Sequence, residues 1–167
     1  MQRKNQFFCK TAIICGLACA AIYLTVRIIC DSPYDMIHKL DSAELIPPMW
    51  IFNILWMIWG FLSGVSAGSL IQAISDGRII GREEIFAYKG GLFFISCFFL
   101  SLIWYPLMFV NQSLFLSLCT ALSSAICSVI CACIWKRVNN SSCIVMSAHS
   151  IWLFYVFIVN FSVFVHN

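Results

Sequence analysis

Trp56 and Trp59 stand three residues apart, as do Trp152 and Tyr155, and that spacing sets side chains next to each other on one side of a helix. On long apolar segments, two such pairs offer flat faces for a planar hydrophobic ligand, held by stacking and shape rather than by covalent chemistry. Trp50 and Trp104 extend the set. Asn160 lies well inside the last apolar segment, and an unpaired amide in lipid is costly, so it must face other helices or a ligand. Packing between helices explains Asn160 equally well, and Ser101 and Asn53 are weaker cases of the same kind. Trp50, Trp104 and Trp135 sit at segment ends, where tryptophan commonly anchors at a membrane interface. Trp56 and Trp152 lie deeper and are the stronger pocket candidates.

Other catalytic chemistry is scarce. No Asp, Glu, Lys or Arg falls deep in an apolar segment, so a proton relay or ion-coupled pump has no groups to use. The chain has no phosphate-binding glycine loop, metalloprotease motif or nucleophile elbow. The histidines are His38, His149 and His166. His149, with Cys143 and Met146 nearby, has the type of an axial haem ligand, but a lone histidine near a helix start reads better as a polar interface residue. Most of the ten cysteines, Cys127 and Cys131 among them, lie in apolar runs without Asp, Glu or His beside them. There a thiol acts as a small hydrophobe rather than as a metal ligand. No catalytic residue, cofactor or metal is assigned.

The elements carrying these side chains follow from composition. The 167 residues are 62% hydrophobic and 10% charged, with mean hydropathy +0.92. A water-soluble domain needs about 25% charged residues to cover its surface, so this chain is an integral, multi-pass membrane protein. Five runs reach the roughly 20 apolar residues that span a bilayer: Thr11–Cys30, Trp50–Ile74, Gly91–Val110, Leu114–Trp135 and Cys143–Val165. They are continuous rather than alternating, which argues against a β-barrel. The expected fold is therefore all-α: a single domain, residues 1–167, of five transmembrane helices. The first run is too long for an ordinary signal peptide and is read as a retained helix.

Basic residues set the orientation. With the N-terminus inside, the inner segments hold Arg3, Lys4, Lys10, Arg78, Arg82, Lys89, Lys136 and Arg137, leaving Lys39 and the boundary Arg27 outside. The N-terminus is thus expected in the cytoplasm, and a bacterial inner membrane suits these basic inner loops. The net charge of +3 reflects this topology and requires no nucleic-acid partner. Asp31–Ile46 is the longest hydrophilic connection and the one candidate for a lid over a pocket. Pro47-Pro48 suits the approach to a helix start. Beyond it Gly60, Gly64 and Gly68 form a ridge of small residues that admits a close helix, inside the bundle in preference to across a homodimer. Span three is expected to start after Gly90-Gly91 and to end or kink at Pro106, with Asn111-Gln112-Ser113 as a tight turn into span four.

Pro47-Pro48-Met49-Trp50-Ile51-Phe52 followed by Trp56 resembles the helix-two signature of the TspO/MBR translocator family, the tryptophan-rich sensory proteins. Gly64 falls at that family's helix-two glycine. Trp104-Tyr105-Pro106-Leu107-Met108-Phe109 is similar to its helix-three end, and Trp152 with Asn160-Phe161 to its helix-five pattern. The match covers residues 47–167, and helix one matches in character alone. Asn53-Ile54 replaces the family's Gly-Pro, Ser101 its helix-three Asn, Thr120 an acidic residue and Ala148-His149 its Pro-Tyr. Phe164-Val165 stands where the C-terminal sterol-recognition pattern would be, which weakens any expectation of sterol binding.

The resemblance implies a five-helix bundle whose pocket opens towards the loop after helix one and takes porphyrins and related tetrapyrroles. Trp50, Trp56, Trp59, Trp104, Trp152, Tyr155 and Asn160 are the expected pocket residues, and the protein is expected to act as a sensor, regulator or carrier. Two other readings stay open: porphyrin degradation with an indole as the redox-active group, and a ligand-free assembly partner that docks through its small-residue helices.

Overall fold

A computed structural model describes residues 2–30 and 47–167, and within them the chain forms five long helices. These are α1 (Gln2–Ile29), α2 (Met49–Ser75), α3 (Arg82–Phe109), α4 (Leu114–Trp135) and α5 (Asn140–His166). At 1.5 Å rise per residue, each is long enough to cross a hydrocarbon layer of about 30 Å, and each contains an apolar stretch of spanning length. Isoleucines such as Ile14, Ile28, Ile151 and Ile158 point outwards and are exposed, where lipid rather than water is their natural surrounding. The fold is an all-α bundle of an integral, multi-pass membrane protein.

The ends of the helices show where local chemistry set the boundaries. Pro48 precedes α2, and its carbonyl accepts the amides of Ile51 and Phe52, a role that needs no N–H from proline. The Asn139 side chain caps α5, accepting from the Ser141 and Ser142 amides. Gln112, at φ 52°, makes the left-handed step between α3 and α4. Pro106 lies within the last turn of α3, which continues to Phe109 and does not stop there.

Two expectations are corrected. Helix α3 begins at Arg82, nine residues before the expected start, so Gly90 and Gly91 are interior to it. Gly90 sits there because the Trp135 indole lies where its Cβ would be. Helix α5 begins at Asn140, which moves His149 from a helix start to the third turn.

Packing divides the bundle unevenly. Helix α1 lies along α2, α3 along α4 and α4 along α5, while α2 also touches α5 and only lightly meets α3. The glycine ridge makes the α1–α2 seam. A Cβ on Gly64 would lie 2.7 Å from the Cys15 carbonyl oxygen and 2.9 Å from the Gly16 Cα, so backbone meets backbone at this crossing. Gly60 instead makes room for the Tyr23 ring, and Gly68 for the Cys15 side chain and the Ala12 Cα. The ridge is thus taken up within the chain, and Cys15 and Cys19 serve there as small packing residues.

Candidate functional site

Helical periodicity turns one face of each of three helices towards a common centre. On α2, Phe52 and Trp56 are four residues apart, and on α5, Trp152, Val156 and Asn160 repeat that step. All five are buried, as is Trp104 on α3. The Trp56 and Trp104 rings stack at 5.5 Å and 24°. Trp152 meets Trp56 edge-on at 6.1 Å and 81°. Phe52 fills the middle, 5.8 Å from Trp104 and 5.4 Å from Trp152. From α1, Tyr23 closes the cluster at 5.4 Å from Trp56. Each such pair contributes about 0.5–1.5 kcal/mol beyond its burial, and together they join α1–α2 to α3–α5 where the helices otherwise touch little.

Polar atoms around this cluster fall into satisfied and unsatisfied groups. Asn160 is engaged at both ends of its amide: its Oδ1 accepts from Trp104 Nε1 and lies 3.2 Å from the Ser117 hydroxyl, and its Nδ2 donates to the Val156 carbonyl at 2.8 Å. One amide therefore ties α3, α4 and α5. In contrast, the indole N–H groups of Trp56 and Trp152 and the hydroxyls of Tyr23, Ser101 and Tyr105 are buried without a hydrogen-bond partner among the described residues. Leaving such a group unmade costs about 1–3 kcal/mol, so a cluster of them needs a physical reason.

Space beside the rings is small. A cavity of about 40 Å³ opens between α1, α2 and α3, with Tyr23, Arg27, Asn53, Trp56, Ser101 and Tyr105 on its walls. A second, about 10 Å³, lies between Phe52, Trp104 and Asn160. Neither holds a drug-sized molecule, which needs about 300 Å³ or more; the rings fill the bundle centre themselves. A larger hollow of about 400 Å³ runs between α2 and α3, walled by Leu70, Ile74, Leu92 and Trp135. Its walls are almost wholly apolar, with Tyr88 among them.

The structure gathers Trp56, Trp104, Trp152 and Asn160 into this centre. Trp104 is 3% exposed, so it is a core residue and not an interface anchor. Tyr155 is 5.4 Å from Trp152 and sits at the cluster's outer margin. Trp59 is half-buried one turn further along α2 and stacks on His149 at 5.8 Å and 11°. Trp50 is 66% exposed and stands apart from the rest. The expected lid, Asp31–Ile46, lies outside the described residues.

Two further readings are corrected. Trp135 is buried, not interfacial: it donates to the Ala87 carbonyl at 3.3 Å and stacks on Phe94. His149 is 2% exposed, with neither ring nitrogen hydrogen-bonded among the described residues, so it is not a polar interface residue. Phe52, Tyr23 and Tyr105 were absent from the expected pocket. Phe52 was legible as the residue one turn before Trp56, whereas Tyr23 reaches the centre only because the glycine crossing brings α1 close.

A family model described as the TspO/MBR family matches residues 11–166, nearly the whole chain. No curated protein and no solved structure matches.

Proposed function

The chain belongs to the TspO/MBR family, and from that premise we propose that it binds a porphyrin or related tetrapyrrole among the rings of Trp56, Trp104 and Trp152, as a sensor, regulator or carrier. The observation that carries this reading is the convergence of those three indoles, with Phe52, from α2, α3 and α5 into one buried cluster. A planar ligand would exchange ring–ring contacts for contacts with its own faces, at little net loss of stacking. The N–H groups of Trp56 and Trp152, which have no partner among the described residues, would gain an acceptor.

Binding requires the rings to part, because the described residues leave no cavity of ligand size among them. The seam between α2 and α3 is lightly packed and is where the bundle would yield. The N-terminus is assigned to the cytoplasmic side of a bacterial inner membrane, because the inner segments carry most of the Lys and Arg.

Titrating purified protein with protoporphyrin IX tests the reading: tryptophan fluorescence should fall saturably, and Trp56→Ala with Trp152→Ala should weaken the effect. No quenching, or equal quenching by the double variant, overturns it. Following porphyrin absorbance under light in the same samples separates binding from degradation.

A further inference from the structure

We propose that the cavity between α1, α2 and α3 is a subsite for a carboxylate, so that the preferred ligand is a planar apolar ring bearing an acid side chain. This inference rests on the porphyrin-binding reading and names the chemistry of one end of that ligand.

Four polar atoms supply the argument. The hydroxyls of Tyr23, Ser101 and Tyr105 and the indole N–H of Trp56 belong to side chains on the walls of the same cavity, and all four are buried without a partner among the described residues. Tyr23 and Ser101 are close neighbours, yet their hydroxyls do not meet the geometry of a hydrogen bond. The indole donates only, and each hydroxyl has a proton to give. Together they bring four protons into one small space, and no anion among the described residues of the cavity walls draws them together. A carboxylate brings two oxygens with about four acceptor positions and no proton, so it can take several of these donors at once, where an alcohol or amine has fewer such positions.

Charge and size agree. Arg27, the permanent cation on the cavity wall, holds its guanidinium 5.7 Å from the Tyr105 ring. Bonds to an ionised acceptor are about twice as strong as neutral ones, which offsets part of the cost of bringing a carboxylate to membrane depth. The volume of about 40 Å³ suits a carboxylate or one to a few waters, but not a ring. Trp56 and Trp104 wall this cavity and also form the central stack. A ring lying against that stack therefore has its edge at the cavity mouth, and a short acid arm enters.

Three probes separate the occupants: protoporphyrin IX, its dimethyl ester, and etioporphyrin, whose ring carries alkyl groups alone. Each is titrated against the full chain in one detergent and followed by tryptophan quenching. Comparing one probe across protein variants cancels its partition into micelles. In the variant Tyr23→Phe with Tyr105→Phe, which removes two hydroxyls and little volume, diacid affinity should fall by about tenfold or more. Etioporphyrin affinity should stay level and the ester should fall between. Ser101→Ala should move the diacid in the same direction by less. If diacid and etioporphyrin respond alike to all these substitutions, the subsite is overturned and water is the cavity's occupant. If no probe binds wild-type protein saturably, the porphyrin reading itself fails.

Discussion

The Trp104 indole N–H donates to the Asn160 side-chain oxygen at 3.2 Å, within a site buried from lipid on all sides. The bond crosses from α3 to α5, and the Ser117 hydroxyl of α4 lies equally close to the same oxygen. Asn160 is thus a junction of three helices rather than a free pocket amide. Hydrogen bonds between membrane helices contribute about 0.6 kcal/mol on average and up to about 2. Asn160→Leu should therefore destabilise the bundle by about 1–2 kcal/mol, leaving Trp104 with an unmet donor. A double-mutant cycle of Asn160→Leu with Trp104→Phe, read by thermal melting in micelles, should show positive coupling. Strict additivity would mean that the bond contributes nothing.

The crossing of α1 over α2 should tolerate no side chain at Gly64. A Cβ there would press on the backbone of Cys15 and Gly16, and backbone does not rotate aside. Gly64→Ala should cost about 1–3 kcal/mol, and Gly64→Leu should separate the helices and expose Tyr23. Melting temperature and the rate of proteolysis report both. A Gly64→Leu protein that melts like wild type would show that the helices do not cross here.

Trp135 and Gly90 should behave as a unit. Gly90→Ala places a methyl where the indole ring lies, and Trp135→Phe removes both bulk and the bond to Ala87. Combining the two should recover part of the stability lost by Gly90→Ala alone. Melting curves of the three variants decide it, and losses that simply add would argue against the contact.

His149 should be dispensable for stability. Its imidazole is buried against Trp59 with neither nitrogen hydrogen-bonded among the described residues, so its burial is a cost of about 1–3 kcal/mol. The stack returns about 0.5–1.5 kcal/mol. His149→Leu should therefore leave the melting temperature level or raise it. A loss near 3 kcal/mol would reveal a partner for the ring, such as an ordered water.

The amino-acid sequence by itself determined the solvent and the scaffold. Five apolar runs in a chain with so little charge admit a membrane bundle and little else, because lipid demands continuous helices with their backbone satisfied. It also determined that α2 carries a close-packing ridge, since three glycines four apart align on any helix, and the inward turn of Asn160, since lipid offers an amide no partner; that α1 fills the ridge came from the structure. Only the tertiary structure decided which tryptophans are interior. Trp50, Trp104 and Trp135 all sit near the ends of apolar runs, and nothing in their spacing separates the exposed Trp50 from the buried pair; the neighbouring helices do. The same holds for Tyr23 and Tyr105, whose hydroxyls share a cavity with Ser101 because three helices from distant parts of the chain converge there. Length and polarity act locally and can be read in order, whereas burial belongs to pairs of surfaces and exists only once they meet.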